Sequence, residues 1–397
     1  MTYIALRMLL GDRAKYAGLI FGITFTSFLV TFAASYFTGI MTRGYALITE
    51  NGTTDVWVMD PAVSSVEQTT NMPWWALDRV RSVTGVQSAL PLVLGTAEVR
   101  FPNGRFQPFQ VIGVDGATLS GMPALRNGAM PTALRTLEAV VVDPGGTNGK
   151  LETPIQSSDQ WFQGQPRLDA STRELAPGDE LLVNDHRVFV VARSEGLQRF
   201  PPRPLLYTTL GNATRILLPE RRRLTFVLAR AAPGVPPSEL ATRIEARTGL
   251  RARSSADFKA DTVRWFLATS EDVGDIGAML TLAMSVGFGV TGVMLFMFTQ
   301  ENLRQYAVLS AMGTTPRTLL SMVFAQAGLC ALLGTGLGVG LCGIVGELAE
   351  MAGYPFRIMW FTPLLGGVMV LIISIVTAAL SARPVLKLQP VVVFAGR

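Results

Sequence analysis

The chain is poor in the residues that most enzyme chemistry needs. It has one histidine and two cysteines in 397 residues. The histidine, His186, sits in the polar turn Asn184-Asp185-His186-Arg187 and reads as a solvated turn residue. No Cys/His cluster has zinc-ligand spacing, and no Gly-x-Ser-x-Gly elbow marks a serine nucleophile. The nearest approach to a phosphate loop is Gly145-Gly146-Thr147-Asn148-Gly149-Lys150-Leu151. It fails the pattern, with Pro144 before it and Leu151 where Ser or Thr is required. A non-catalytic chain that neither hydrolyses ATP nor holds a cofactor or metal is expected.

Charge is also scarce. Only 16% of residues are charged, against about a quarter in soluble domains. The deficit is local to four apolar segments, roughly Tyr16–Ile40, Ile276–Thr299, Thr318–Gly346 and Ile358–Ala382. Each is long enough for the ~20 residues a helix needs to cross a bilayer, and helices satisfy their own backbone polar groups there. No ionisable residue lies deep in a span, which argues against an ion or proton pathway. The first segment exceeds the 7–15 apolar residues of a signal peptide and reads as an uncleaved span. Cys330 and Cys342 are both in the third span, about 120° apart around a helix. They cannot pair within it and read as packing residues.

The net charge is +5. No basic run is interleaved with aromatics, so nucleic acid is not an expected partner. Arg221-Arg222-Arg223 abuts the strand-like Leu224–Leu228 and reads as a solvated loop edge, with a contact to lipid headgroups or a partner as the alternative. Arg7, Arg13, Lys15, Arg304, Arg317, Arg383, Lys387 and Arg397 flank one set of span ends, and only Arg357 lies in the short loop on the other side. By the positive-inside rule both termini are cytoplasmic.

The fold expected is a membrane protein with four transmembrane α-helices (1+3) and a large extracytoplasmic α+β domain inserted between helices 1 and 2. In order, the plan is an amphipathic helix in the inner headgroup region at 1–15, a first span at 16–40, and a periplasmic domain with stalk helices at both ends at 41–273. A second span at 274–299, a cytoplasmic coupling helix at 300–317 and a third span at 318–347 follow. A short loop at 348–357, a fourth span at 358–382 and a cytoplasmic tail at 383–397 complete it.

Within the middle domain, strands are predicted at 55–59, 87–94, 96–101, 107–114, 139–142, 180–183 and 187–192. Helices are predicted at 74–83 after Pro73 and at 239–248 after Pro236-Pro237-Ser238. Residues 144–175, rich in Gly, Pro, Gln and Ser, read as an excursion or mobile loop, and the domain has room for two subdomains. Glu271, Asp272 and Asp275 fall near one helix face, read as a solvated stalk face with a cation or partner site as the alternative. In span 3, Gly334/Gly338 and Gly336/Gly340 are small-xxx-small pairs suited to close helix packing.

Between spans 2 and 3, Leu303, Ala307, Val308 and Ala311 fall at helical spacing, Gly313 stops the helix, and Thr314-Thr315-Pro316 starts another. The stretch Arg304, Tyr306-Ala307-Val308-Leu309, Ala311-Met312-Gly313 resembles the cytoplasmic signature of the MacB/FtsX/LolC superfamily of ABC transporter permeases. Gln305 and Ser310 depart from the family's usual Glu and basic residue. Arg13-Ala14-Lys15 running into Gly22-Ile23-Thr24-Phe25, and the tail Lys387-Leu388-Gln389-Pro390-Val391-Val392-Val393-Phe394, look like the DevC-like branch. Val83-Thr84-Gly85-Val86, Val111–Asp115 and Pro177–Leu181 resemble motifs of the family's periplasmic core domain.

The resemblance implies a permease dimer with two copies of a separate ATPase that carries the ATP and Mg, in the inner membrane and in contact with membrane lipids. It assigns ATPase coupling to Arg304, Tyr306, Ala307, Leu309, Ala311, Met312 and Gly313, and stalks to residues near 41–50 and 258–275. It further implies export of a lipid or other periplasmic substrate with a membrane fusion protein and outer-membrane channel. The alternatives are an FtsX-like signalling permease controlling a cell-wall hydrolase, a LolC-like lipoprotein-release permease, and a membrane-anchored enzyme.

Overall fold

A computed structural model describes residues 13–161, 167–219 and 223–382. Residues 1–12 of the expected N-terminal helix, Arg221, Arg222 and the whole 383–397 tail lie outside the described residues. In chain order the elements are α1 (Arg13–Gly44), α2 (Ala46–Glu50), β1 (Val56–Met59), α3 (Trp75–Arg81), β2 (Val86–Arg100), β3 (Phe106–Val114), β4 (Ala139–Asp143), β5 (Glu152–Pro154), β6 (Thr172–Glu174), β7 (Glu180–Val183), β8 (His186–Arg193) and β9 (Leu205–Thr209). Then come α4 (Leu210–Ile216), β10 (Phe226–Ala231), α5 (Pro237–Thr248), β11 (Arg251–Ser254), α6 (Ser255–Thr269), α7 (Glu271–Glu301), α8 (Leu303–Ala311), α9 (Pro316–Met351) and α10 (Phe361–Ser381). The chain forms two units, one of residues 1–40 with 270–397 and one of residues 41–269.

In the first unit, four helices are long and apolar enough to cross a membrane, spanning Tyr16–Gly44, Val273–Glu301, Pro316–Met351 and Phe361–Ser381. This is the one-plus-three order that the sequence predicts. α1 is the most enclosed: half of its most apolar stretch is buried, against 22% for α7 and 28% for α9. Small hydroxyl residues around α1 allow this close packing. Each of the other three helices lays a glycine against α1. A Cβ added at Gly287 of α7 would lie 2.2 Å from Thr26, one at Gly338 of α9 2.6 Å from Ser27, and one at Gly366 of α10 2.1 Å from Thr31. Without side chains at these points the backbones approach closely, as small residues allow in lipid. Ser35 donates to the Thr362 hydroxyl (3.1 Å) and Ser27 to the Thr335 carbonyl (3.3 Å).

Gly334 and Gly338 face α1, whereas Gly336 and Gly340 have no neighbour within 4 Å of an added Cβ. Residues two apart on a helix point to different sides, so two interleaved pairs cannot both face α1.

The second unit is built on one nine-stranded sheet, in order β11-β1-β10-β2-β3-β9-β4-β8-β7. β1, α3, β2, β10, α5 and β11 form a βαββαβ lobe with sheet order β11-β1-β10-β2, the ferredoxin-like arrangement. Both faces of this lobe are covered. Val56 and Val58 pack with α3 and α5 residues such as Val80 and Ile244, and Trp57 and Met59 point the other way, towards Phe258 of α6. That is the period-two alternation of a strand. α5 begins at Pro237 and stops at Gly249, whose φ of 70° is the left-handed C-terminal conformation.

The remaining strands close on themselves. The end of β2 pairs with β7 (Val99 with Val183) as well as with β3, so β2-β3-β9-β4-β8-β7 form a closed ring. Val99, Phe109, Val111, Val140, Val142, Leu181, Val188, Val190 and Leu206 form its buried core with Ala213 and Ile216 of α4. The sequence predicts a break at Gly95 and two strands there. The structure has one continuous strand instead, because β2 uses residues 86–92 to pair with β10 and 93–100 to pair with β3. Gly95 is needed not for a turn but because Leu217 packs on it, 2.7 Å from a Cβ placed there. The 144–175 stretch contains the two-stranded β5–β6 sheet, and residues 162–166 lie outside the described residues.

Candidate coupling site

α8 joins α7 to α9 through tight turns at both ends. Asn302 sits between α7 and α8 and its side-chain amide donates to the Phe298 carbonyl (2.8 Å). At the other end Gly313 adopts a φ of 90°, and the Thr314 hydroxyl donates to the Leu309 carbonyl (2.7 Å). α9 then starts on Pro316, where a missing N–H costs nothing.

The seven residues assigned to ATPase coupling divide into two groups. Tyr306 and Ala307 are fully buried and Leu309 nearly so. Tyr306 and Leu309 join a cluster with Leu295, Phe298, Leu319, Met322 and Val323, and the Tyr306 phenol donates to Gln326 of α9 (3.0 Å). These three seat the helix and do not present a surface to a partner. Arg304, Ala311, Met312 and Gly313 are exposed, as is Val308. The apolar spacing that predicts a helix here thus does not mark a single docking face: Ala307 points inward, while Val308 and Ala311 point outward. Met312 is 69% exposed, an apolar tip at the end of the helix.

A second constellation lies at the far end of the first predicted stalk, and sequence reasoning missed it. α2 ends on Glu50, whose carboxylate is buried with the Arg199 guanidinium, the two side chains being 5% and 6% exposed. Glu50 also accepts from the Leu197 N–H (2.6 Å) and the Tyr207 hydroxyl (3.0 Å), and Arg199 donates to that same hydroxyl (3.1 Å). Beside them Asp143, at the end of β4, accepts from the Ser194 hydroxyl (2.5 Å) and from the N–H groups of Gly145 (2.7 Å) and Gly196 (2.9 Å). Burial raises the Glu50 carboxyl above its ordinary value, with Arg199 opposing that shift. Burial likewise raises the Tyr207 phenol, which stays a neutral donor.

Residues 195–204, between β8 and β9, carry this network. The segment also reaches the second predicted stalk, where the ring of Phe200 packs on Phe266 of α6 (6.2 Å between centroids). Phe266 in turn fills the space over Gly44, where a Cβ would lie 2.6 Å from its ring. Glu50, Asp143 and Arg199 are too far apart in sequence to form a motif. The one available signal was an acidic residue closing an otherwise apolar helix.

Of the predicted acidic stalk face, Glu271 and Asp275 are exposed. Among the described residues, no three His, Cys, Asp or Glu side chains gather as metal ligands would.

Residues 277–390 match the FtsX-like permease C-terminal family. That stretch takes in most of α7, all of α8, α9 and α10, and so the whole coupling segment. No curated protein matches the chain. Among solved structures, it is similar to the periplasmic region of MacB from Actinobacillus actinomycetemcomitans, with 12% identity, a TM-score of 0.35, and coverage of 54% of this chain and 94% of that one. It is similar also to the extracellular domain of the noncanonic ABC-type transporter YknZ from Gram-positive bacteria, with 11% identity, a TM-score of 0.32, and coverage of 51% and 98%. The family match thus takes in three of the four helices that are long and apolar enough to cross a membrane.

Proposed function

We propose that this chain is the membrane subunit of an ABC transporter driven by a separate ATPase that docks on the exposed side of α8. Movement of α8 passes to α7 and α9, and through α1 and α7 to stalks leading into the 41–269 domain. That domain then acts on a lipid or other substrate outside the cytoplasm, with a membrane fusion protein as partner. The termini and α8 are on the cytoplasmic side of the inner membrane in this reading, as the basic residues at Arg304 and Arg317 favour. The observation that carries it is the family match over 277–390, which contains a short helix clamped between two spans with one face seated and one face open.

The test is a double substitution on the open face, Ala311→Asp with Met312→Asp, in the full chain purified from native membranes. Both positions are exposed, so insertion and thermal stability should be unchanged to within about 0.5 kcal/mol. ATPase co-purification should fall about tenfold or more, equivalent to at least 1.4 kcal/mol of binding. Wild-type ATPase recovery with this variant would sink the docking assignment. Ala307 is not substituted because it is buried, and a charge there would test packing. Recovery of a cell-wall hydrolase or a lipoprotein carrier, in place of a fusion protein, would select the signalling or lipoprotein-release reading.

A further inference from the structure

The glycine-rich stretch after β4, which fails the pattern of a nucleotide phosphate loop, lines a cleft at one end of the strand ring. The cleft has a volume of about 460 Å³, the size of a small-ligand site. Its walls come from residues 105–108 at the start of β3, from residues 147–150, and from residues 202–204 before β9. Three of the lining side chains are cationic, Arg105, Lys150 and Arg203, and none of those described is acidic. We propose that this cleft binds a phosphate group, carried by a lipid headgroup or free, through Arg105, Lys150, Arg203 and the backbone of the 147–150 loop. The inference deepens, and for the ligand's source rests on, the reading of the 41–269 domain as the part that acts on a substrate outside the cytoplasm.

The loop is arranged to donate. Arg105 donates to the carbonyls of Gly149 (3.4 Å), Lys150 (3.2 Å) and Glu152 (3.0 Å), which takes up those acceptors. The N–H groups of Asn148, Gly149 and Lys150 have no partner among the described residues. Free N–H groups beside cationic side chains suit an oxyanion. β4 leads on to β5 and not to an α-helix, so the loop lacks the helix N-terminus on which a nucleotide's phosphates rest. The stretch is therefore suited to holding a phosphate group and not to nucleotide hydrolysis.

The cations are in part uncommitted. Lys150 is exposed and forms no ion pair among the described residues. Arg203 is bound to Glu67, and Glu152 favours the charge on Arg105, so two of the three charges have a carboxylate nearby. The Nε atoms of Arg105 and Arg203 are nonetheless buried with no hydrogen-bond partner. Burial disfavours the charge on both guanidinium groups, and an anion in the cleft offsets that cost. A phosphate group brings more acceptor oxygens and more charge than a carboxylate, and so matches several cations at once. Phe106, which is 56% exposed, and the exposed Pro108 and Pro202 supply an apolar wall against which a lipid chain can lie.

The experiment is titration calorimetry on the full chain, freed of associated proteins, in a non-ionic detergent that carries no phosphate. The probes are inorganic phosphate, dihexanoyl phosphatidic acid below its micellar concentration, and hexanoate. Both phosphate compounds should bind, and hexanoate should bind about tenfold more weakly or worse. Tighter binding of the phosphatidic acid than of inorganic phosphate, by about tenfold and lost in Phe106→Ser, assigns the site to a lipid headgroup. Equal binding assigns it to free phosphate. Lys150→Gln and Arg105→Gln should each weaken both phosphate compounds about tenfold, as loss of a charge-assisted bond does. Arg247→Gln removes the same charge from an exposed position on α5 and should change neither. Should Arg105→Gln fail to fold, Lys150→Glu takes its place, since that side chain holds nothing in the fold, and should abolish binding. A wild-type chain that binds neither phosphate compound would overturn the site. So would equal losses in Lys150→Gln and Arg247→Gln, or hexanoate binding as tight as phosphate. If the same chain still recovers an ATPase from native membranes, the permease reading survives that failure. Phosphate binding by a chain that recovers no ATPase would overturn the permease reading and leave the site standing.

Discussion

Two junctions in this protein tie a helix to its surroundings, and they use opposite materials. α8 is seated by apolar burial of Tyr306, Ala307 and Leu309, with one phenol–amide bond to Gln326. The end of α2 is held by buried charge, with Glu50, Arg199 and Asp143 around the 195–204 segment. Apolar contact scales with area and has no preferred alternative partner, so the first junction is suited to passing on a displacement unchanged. Buried charges are strong, directional and few, and a carboxylate bonded to one donor can exchange it for another. The second junction is thus set by the identity and geometry of a few partners.

The contrast is broken most severely at Arg199. Arg199→Met leaves the buried Glu50 carboxylate without its cation, and should cost about 3–5 kcal/mol in thermal unfolding of the purified chain. The double variant Glu50→Leu with Arg199→Met should regain most of that loss, since an apolar pair of similar volume often replaces a buried ion pair at little cost. If the double variant were no better than the single, the pair would not be the origin of the effect.

A smaller effect separates the two glycine pairs of α9. Gly338→Leu must displace Ser27 and the Thr24 carbonyl, and should cost about 1–3 kcal/mol as an overpacked contact. Gly340→Leu meets open space within the chain and should change stability by less than about 0.5 kcal/mol. Comparable losses in the two variants would mean that Gly340 also faces a packed surface.

The smallest effect is in pH dependence. The Glu50 carboxyl is raised above 4.5, chiefly by burial, so its stabilising share is present below 4.5 and is lost as pH rises through the raised value. Glu174, lowered below 4.5 by its bond to Arg193, behaves in the opposite way. Its share is present above 4.5 and is lost as pH falls through the lowered value. Glu50→Gln should therefore flatten the unfolding profile on its alkaline side, while Glu174→Gln flattens the acidic side. A profile unchanged by Glu50→Gln would show that the carboxyl titrates as in water.

What the sequence made legible follows the range of each interaction. Spans, strand alternation, and the Gly313 and Pro316 punctuation are written within a few residues of where they act. The closure of β2 onto β7 is not, since Val99 and Val183 meet only after four other strands have been placed between them. The face of each glycine was equally hidden. Gly334 and Gly336 look alike in sequence, and only Ile23 and the Thr24 backbone of α1, far away in the chain, decide between them. α8 is legible from its spacing, but which of its residues face outward depends on Leu319 and Met322 of the next helix. The Glu50 network had no local signature at all.

The long strand β2 has one more consequence. The chain leaves the four-stranded lobe at Leu92 and returns to it at Thr225, and the two points are bonded to each other. The Thr225 N–H donates to the Leu92 carbonyl (3.1 Å), and the Leu94 N–H donates to the Thr225 hydroxyl (2.9 Å) across 131 residues of sequence. Everything between is, in effect, an insert set into one hairpin of the lobe. Inserts whose ends touch can be lengthened, exchanged or trimmed without reshaping the host. The ring of strands is thus the part of this domain freest to be remade, while the four-stranded lobe keeps its own pairing.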